Sequence, residues 1–281
     1  MDILITGANG QLGHDLVDVL NGEALHPFDH AALDIADATV VEQTVSRIKP
    51  NWIVNAAAFN DVDGAEQNEA AAFAVNADGP EHLAAAAARV GARLIHVSTD
   101  YVFDGRKGRP YDENDVPNPL SVYARSKREG ERRVLASGAP ACVLRTAWLY
   151  GRHGKNFVKA IQAAAARGAP LKVVADQVGS PTSTADLAAA IAALMRTPAS
   201  GLYHVVNAGA CSRFEFAQAI VGDRVEVLPI TTAEAARPAP RPQNSALTSV
   251  RWASTGLTPL RGWRDALEAY QKSVSSTDRV R

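Results

Sequence analysis

The chain has 281 residues, and its 29 lysines and arginines almost balance its 30 aspartates and glutamates. This length suffices for one large α/β unit or for two closely joined domains. Because the charges cancel and no long like-charge run occurs, a nucleic-acid or membrane-surface partner has no electrostatic support. No stretch is long and apolar enough to span a bilayer, so we expect a cytoplasmic protein with no membrane partner.

The first 150 residues alternate short β-branched runs with alanine-rich segments of helical period. Such alternation is typical of a parallel, doubly wound sheet, so the predicted fold class is α/β and Rossmann-like. Asp37 is placed to cap a helix that runs to Ile48. We expect residues 1–150 to form a dinucleotide-binding domain. Its predicted strands lie near 3–5, 52–55, 94–97 and 141–145, and its predicted helices near 11–20, 37–48, before 90, and 123–136.

The pattern changes after about residue 150. Residues 151–281 are expected to form mainly a smaller, substrate-binding C-terminal lobe. Within it, strands near 171–174 and 202–206 are expected to return to the sheet. The proline-rich segment 237–242 can be neither a helix nor a central strand, so it is predicted to be an extended loop.

A glycine-spaced turn follows the first predicted strand. Gly7, Gly10 and Gly13 stand where a tight turn lets the backbone approach a diphosphate at a helix N-terminus. The spacing is Gly-x-x-Gly-x-x-Gly and departs from the strict dinucleotide fingerprint. An ordinary strand–helix turn is the alternative interpretation.

Asp29 follows the next apolar stretch, where an acid can contact the adenosine ribose. Its charge would repel a 2′-phosphate and so favour NADH over NADPH, although the neighbouring His30 could offset that repulsion. A solvated loop acid is the alternative interpretation.

Tyr123 and Lys127 carry the chemistry that the sequence suggests. Four-residue spacing places both on one helix face, after a strand that ends in Ser98-Thr99. Hydride delivery to a ketone leaves an alkoxide that must be protonated, and free tyrosine, with a pKa of about 10, suits neutral pH poorly. The Lys127 ammonium is expected to lower that pKa, and Thr99 to donate a hydrogen bond to the carbonyl. Alternatively, Tyr123 only packs at a helix start.

These segments, with others in the same order along the chain, resemble the extended short-chain dehydrogenases/reductases. Within that superfamily the sequence is most similar to the dTDP-4-dehydrorhamnose reductase family. The stretches around Tyr101, Trp148 and Gln177 separate this family from the rest. The matching segments are 5–13, 55–58, 98–105, 123–127, 145–150, 156–157, 176–182 and 241–245.

The resemblance implies NADH- or NADPH-dependent reduction at C4 of dTDP-4-dehydro-6-deoxy-L-mannose to dTDP-L-rhamnose. Tyr123 would be the proton donor, Lys127 its electrostatic partner and Thr99 the carbonyl contact. Trp148 could instead be a core aromatic, and Arg241 a solvated loop residue. The implied substrate contacts are Thr99, Asp100, Tyr101, Trp148, Asn156 and Arg241. The implied cofactor contacts are Gly7, Gly10, Gln11, Leu12, Gly13, Asp29, Asp34, Ile35, Ala58, Phe59, Asn60, Val97, Tyr123 and Lys127.

The chain departs from the family pattern in two places that concern ligands. Phe59-Asn60 replaces the usual Tyr or His followed by Thr. Some members bind Mg²⁺ through acids at a dimer contact; Asp15 matches one such position, but Ala185 stands at another, beside Asp186. We therefore assign no metal ligands, leave Mg²⁺ as an open cofactor, and expect a monomer or a homodimer.

Two alternatives remain open at the level of the sequence. One is an epimerase or dehydratase of the same superfamily acting on another nucleotide sugar. Asp100-Tyr101 argues against a dehydratase, which needs an Asp-Glu pair at this point. The other alternative is a non-catalytic regulatory subunit on the same fold, against which the intact Tyr123 and Lys127 argue.

Overall fold

A six-stranded sheet lies at the centre of the structure, a computed structural model that describes residues 1–277. All pairings within this sheet are parallel. Numbered along the chain, the strands are β1 Asp2–Thr6, β2 Ala24–Phe28, β3 Trp52–Asn55, β4 Arg93–Thr99, β5 Ala141–Thr146, β6 Leu149–Tyr150, β7 Leu171–Val174, β8 Val178–Gly179, β9 Thr182–Ser183, β10 Gly201–His204, β11 Cys211–Ser212 and β12 Val227–Ile230.

Helices cover both faces of the sheet, whose strand order is β10-β5-β4-β3-β1-β2. Ile3 and Ile5 of β1 pack in one apolar core and Leu4 in the other, as alternation along a strand requires. The predicted α/β, Rossmann-like class is confirmed. The helices are α1 Gln11–Val19, α2 Ala38–Ile48, α3 Val62–Ala65, α4 Glu69–Phe73, α5 Gly79–Val90, α6 Val122–Ala136, α7 Phe157–Ala165, α8 Thr184–Leu194, α9 Arg213–Val221, α10 Thr232–Ala235 and α11 Trp263–Thr277, with a π-helical turn at Ala74–Asp78.

The predicted cap of α2 is confirmed. The Asp37 carboxylate accepts hydrogen bonds from the backbone N–H groups of Thr39 and Val40, at 2.8 and 3.1 Å. These bonds satisfy two of the N–H groups that a helix start leaves without partners.

The prediction that the strand near 171–174 returns to the main sheet is wrong. The strand forms as β7, but it pairs in parallel with β12 in a separate two-stranded sheet. Only one side of β7 is apolar and buried: Leu171 and Val173 face a core with Phe216 and Trp263, while Lys172 is exposed. A strand covered on one face suits a small outer sheet better than a doubly covered one.

The other segment expected to return, near 202–206, lies in the main sheet as β10, paired with β5. Helix α8 also packs against α1 through the core of the main sheet. Residues after 150 thus contribute to both the sheet and the lobe, and the division at 150 stays a prediction. Residues 278–281 of the predicted lobe lie outside the described residues. In residues 1–277, no helix combines the length and apolarity needed to cross a bilayer.

Candidate active site

The glycine turn after β1 has the form that a diphosphate requires. Gly7 has φ of +69°, and a Cβ on Gly13 would lie 2.2 Å from the carbonyl oxygen of Gly7, so a side chain there would clash with backbone. Gly10 caps α1, and no side chain occupies the first helical N–H groups. With the positive end of the helix dipole, these groups offer the kind of donors that an anion requires. Gly10, Gln11 and Leu12 line a cleft of about 390 Å³.

Tyr123, Thr99 and Lys127 meet in this cleft at the carboxyl end of β4. Ser121 caps α6, so the helix begins beside the strand end. The Tyr123 phenol faces the Thr99 hydroxyl, with which it can share a hydrogen bond. The Lys127 ammonium donates to the backbone carbonyl of Val97 at 2.7 Å. The structure therefore brings together the three side chains that the sequence proposed as catalytic.

The electrostatics of Tyr123 differ from the expectation. Burial raises the pKa of the phenol above its ordinary value, and the charge of Asp100 adds to this rise. The predicted lowering by Lys127 is not found, because the ammonium is turned toward the carbonyl of Val97. The phenol is consequently protonated at neutral pH, which is the state that a proton donor needs.

A buried ion pair between Glu131 and Arg145 lies beside these groups. Glu131 lies one turn after Lys127, is fully buried, and accepts two hydrogen bonds from Arg145 at 2.7 and 2.8 Å. Glu131 also accepts from the hydroxyl of Ser98 at 2.6 Å, which ties the end of β4 to α6. Burial lowers the pKa of Lys127 to about 8, and the negative charge of Glu131 opposes that shift. The pair thus helps to keep Lys127 protonated.

The residues expected at the adenosine end lie beyond the lining of this cleft. Asp29 follows β2 and accepts a hydrogen bond from the Asn9 amide at 2.7 Å, while Asp34 is exposed. The side chain of Ile35 is buried against Gly79. Ile35 can therefore offer a ligand only its backbone.

The segment after β3 forms another wall of the cleft. Ala58, Asn60 and Val97 line it, and the amide of Asn60 is exposed. Phe59 is fixed through its backbone, since its N–H donates to Asn76 Oδ1 at 2.8 Å and its carbonyl accepts from Asn76 Nδ2 at 3.1 Å. The departure from the family pattern at residues 59–60 therefore changes side chains on a firmly held backbone.

Trp148 has an unusual backbone conformation and a crowded ring. Its φ is +47°, a region that bulky residues rarely adopt. A Cβ on Gly179 would lie 2.3 Å from the indole, so only glycine leaves room for the ring there. The guanidinium of Arg213 lies 3.5 Å from the ring centroid. One face of the indole that was expected to cover a sugar or base is thus covered by Arg213, a residue that sequence reasoning missed.

A second cavity, of about 750 Å³, opens beside the first and shares Tyr101, Trp148, Lys155 and Arg213 with it. Asn156 lines this cavity and also bonds Gln11 of the phosphate turn, its amide donating to the Gln11 Oε1 at 3.0 Å. The cavity is rich in positive charge, a property suited to a substrate that carries a diphosphate. Its cationic lining residues are Lys155, Lys172, Arg213, Arg237 and Arg241.

Some of these cationic side chains already form ion pairs with acidic residues, and others do not. Arg241 forms a two-pronged ion pair with Asp63, with both N···O distances at 2.9 Å, and also donates to a backbone carbonyl. In the part of the chain that the structure describes, no salt bridge involves Arg213 or Lys155, whereas Asp63 also lies near Arg237. Arg213 and Lys155 are therefore better placed than Arg241 to accept an anionic ligand. Neither was among the sequence candidates, because no motif contains them.

The acidic residues that were considered as possible metal ligands do not lie together in one cluster. Asp186 is engaged by Arg261 at 2.7 and 2.9 Å and by the Asn207 amide at 2.7 Å. Asp15 instead lies near Asp18 and His153 on the surface, with one ligand atom from each within 4.8 Å of the others. The structure gives no argument for joining Asp15 to Asp186.

A Rossmann-like sheet, a glycine turn at a helix start, and a Thr–Tyr–Lys cluster in one cleft define the class. The protein is an NAD(P)H-dependent oxidoreductase of the short-chain dehydrogenase/reductase type. A family model described as "RmlD substrate binding domain" matches residues 1–276, and the chain belongs to that family.

Named relatives agree with the family resemblance drawn from the motifs. The dTDP-4-dehydrorhamnose reductase of Mycobacterium tuberculosis is 49% identical over 94% of this chain and 90% of its own. A probable dTDP-4,6-dihydroxy-2-methyloxan-3-one 4-ketoreductase of Streptomyces antibioticus is 45% identical over 94% of this chain and 92% of its own. The crystal structure of a Bacillus anthracis dTDP-4-dehydrorhamnose reductase in complex with NADP is 40% identical, with a TM-score of 0.94 and coverage of 97% and 99%. The predicted resemblance is confirmed.

Proposed function

We propose that the protein reduces the C4 ketone of dTDP-4-dehydro-6-deoxy-L-mannose to dTDP-L-rhamnose, with NADPH or NADH as hydride donor. The meeting of Tyr123, Thr99 and Lys127 in a cleft that begins at the phosphate turn carries this proposal. Relatives bearing the dTDP-4-dehydrorhamnose reductase name support the choice of substrate.

The chain's own residues would bind the cofactor and move one proton. The turn at Gly10–Leu12 would hold the cofactor diphosphate, and Lys127 would approach the nicotinamide ribose. The bound cofactor supplies a hydride to C4. Tyr123 donates its phenolic proton to the C4 oxygen as negative charge develops there, and Thr99 donates a hydrogen bond to the same oxygen.

The second cavity would hold the nucleotide end of the substrate. We assign its diphosphate to Arg213 and Lys155, which form no salt bridge among the described residues, and give Arg241 the role of holding Asp63. Burial lowers the pKa of Arg213 while leaving it cationic, because the pKa of an arginine lies far above neutral pH. A guanidinium at the junction of both cavities could fix the sugar ring against the hydride donor.

The test is an absorbance assay at 340 nm with freshly made 4-keto sugar nucleotide. Loss of absorbance with NADPH or NADH, and formation of dTDP-L-rhamnose in the product, would support the proposal. No oxidation of either cofactor would overturn it. The ratio of kcat/KM for the two cofactors tests the prediction that the charge of Asp29 repels a 2′-phosphate. The C4 configuration of the product, determined by NMR, tests the stereochemistry of hydride delivery.

A second candidate is reduction at C4 of a different dTDP-linked deoxy sugar. The 45% identity to the Streptomyces antibioticus 4-ketoreductase favours including it. A panel of dTDP-4-keto sugars, compared by kcat/KM, separates the two candidates. An epimerase or dehydratase would instead co-purify with NAD and consume no external cofactor.

We further propose a cytoplasmic enzyme that is a monomer or a homodimer. Its implied ligands are charged, water-soluble nucleotides. Cell fractionation tests the location, and light scattering of the purified chain tests the assembly. Membrane-bound activity, or a larger oligomer, would contradict these proposals.

A further inference from the structure

The hydroxyl of Thr99 has more neighbours than it can donate to. It donates to the Asp100 carboxylate at 3.1 Å and accepts the backbone N–H of Tyr101 at 3.2 Å. It also faces the phenol of Tyr123, with which it can share a hydrogen bond. A hydroxyl has one proton and two acceptor lone pairs. While its proton goes to Asp100, Thr99 can only accept from Tyr123, and it has no proton left for a substrate carbonyl.

Asp100 is a buried acid whose other oxygen is also fixed. Its residue is 2% exposed, and its Oδ2 accepts from the hydroxyl of Ser245 at 2.5 Å. The charged and titratable groups facing it are Arg213 of α9, Tyr123 of α6 and the adjoining Tyr101. Burial raises the pKa of Asp100 to about 6, against the hydrogen bond from Ser245 and the charge of Arg213. Its carboxyl group thus titrates close to neutral pH.

We propose that protonation of Asp100 reverses the hydrogen-bond chain Asp100–Thr99–Tyr123, so that both hydroxyl protons become available to the substrate oxygen. With Asp100 ionised, Thr99 donates to the carboxylate and Tyr123 donates to Thr99. With Asp100 protonated, the carboxyl group donates to Thr99, and the Thr99 proton turns outward. The Tyr123 proton then takes no part in the hydrogen bonds among these three side chains and is available to the substrate oxygen.

Asp100 acts here through Thr99 and is a positioning residue. It keeps its own proton during the reaction. The single proton that reaches the C4 oxygen comes from Tyr123, and the hydride comes from the cofactor, so the balance of the proposed reduction is unchanged. This inference rests on the proposed function only for its kinetic test.

The sign of the pH dependence follows from the direction of the switch. The favourable orientation requires protonated Asp100, so the rate of hydride transfer should fall as pH rises through about 6. A second fall is expected near pH 8, where Lys127 loses its proton. Stopped-flow absorbance at 340 nm, with saturating substrate and cofactor between pH 5 and 9, measures both.

Two variants test whether Asp100 causes the fall in the rate of hydride transfer near pH 6. Ser245→Ala removes a hydrogen bond that favours ionised Asp100, so the midpoint should rise by about 1 pH unit. Asp100→Asn places an amide there whose oxygen can accept from Ser245 and whose NH₂ can donate to Thr99 at every pH. The fall in rate near pH 6 should therefore be absent from the pH profile of this variant, whatever its absolute rate, while the fall near pH 8 remains.

Ser180→Ala is the matched control. Ser180 is also a buried serine whose hydroxyl bonds the neighbouring Leu247 backbone, but it has no bond to Asp100. Its midpoint should equal that of the wild type. A step near pH 6 that persists in Asp100→Asn, or that Ser180→Ala moves as far as Ser245→Ala does, would overturn the proposal.

A measurement without substrate separates this inference from the proposed function. The protonated carboxyl stretch of Asp100, identified by its loss in Asp100→Asn, can be titrated by infrared difference spectroscopy on the cofactor-loaded protein. A midpoint near 6 that Ser245→Ala raises is expected even if the 4-keto sugar is not reduced. A carboxyl group that stays ionised at pH 5 would refute the switch, whereas inactivity alone would refute only the substrate assignment.

Discussion

The phosphate-turn cleft and the neighbouring cationic cavity differ in how they are built. The cleft is formed by strand ends and helix starts, and its working groups are buried: Thr99, Tyr123 and Lys127 are each at most 8% exposed. The cavity is formed largely by long side chains, and Lys155, Lys172 and Arg237 are exposed. A packed framework holds reacting groups in one geometry, whereas long exposed side chains lose entropy when a ligand orders them. We therefore expect the cleft to control the rate and the cavity to control substrate affinity.

The largest expected effect follows from removing the proposed proton donor in the cleft. Tyr123→Phe should lower kcat by roughly 10²–10⁴-fold, because the ring remains but the proton for the C4 oxygen is lost. Cofactor dissociation constants, measured by fluorescence titration, should stay close to the wild-type values. Unchanged kcat would end the proposal that Tyr123 is the donor. A parallel loss of cofactor binding would show instead that the variant disturbs the cleft.

The next effect concerns Arg213, whose guanidinium forms no salt bridge among the described residues. Arg213→Met should raise the substrate KM by roughly 10–100-fold, since a hydrogen bond to a charged group contributes about 1.5–3 kcal/mol. Cofactor binding should not change. Arg241→Met is the matched comparison, because that guanidinium already serves Asp63. If Arg241→Met raises KM more than Arg213→Met does, the diphosphate assignment is reversed and the original sequence prediction for Arg241 is restored.

A smaller effect tests the contact between Trp148 and the backbone. Gly179→Ala introduces a methyl group 2.3 Å from the indole, so the ring must shift together with Arg213. We expect an increase in substrate KM of a few-fold to tenfold, with cofactor binding retained. Gly22→Ala is the control, because a Cβ at Gly22 meets no atom within 4 Å. Equal KM values for the two variants would mean that the position of the indole does not matter for binding.

The smallest expected effect is on the stability of the fold, with no effect on catalysis. Asp37→Ala removes the cap of α2 and should lower the free energy of unfolding by about 1 kcal/mol. Thermal denaturation measures this loss. The kinetic constants should remain those of the wild type at a temperature where the variant is folded. A change in kcat without a change in stability would show that α2 influences the cleft, so that the rate does not depend on the cleft alone.

Much of the cleft was predictable because its signals are local in the chain. Gly7, Gly10 and Gly13 lie within one turn, and Tyr123 and Lys127 share one helix face, so short-range spacing carries the information. Element order also fixed the α/β class, since parallel strands need helical crossovers. The roles of these side chains in binding and catalysis stay predictions until the variants are measured.

The sequence by itself determined the alternation of strands and helices, the phosphate turn and the pairing of Tyr123 with Lys127 on one helix. Only the tertiary structure decided that β7 leaves the main sheet for β12, that Arg213 reaches Trp148, and that Asp63 engages Arg241. It also decided the raised pKa of Tyr123, because burial depends on how distant segments pack. Spacing along a helix or a turn depends only on neighbouring residues, so the sequence shows it directly. Charge pairing and desolvation depend on residues that are far apart in the chain and that only the fold brings together.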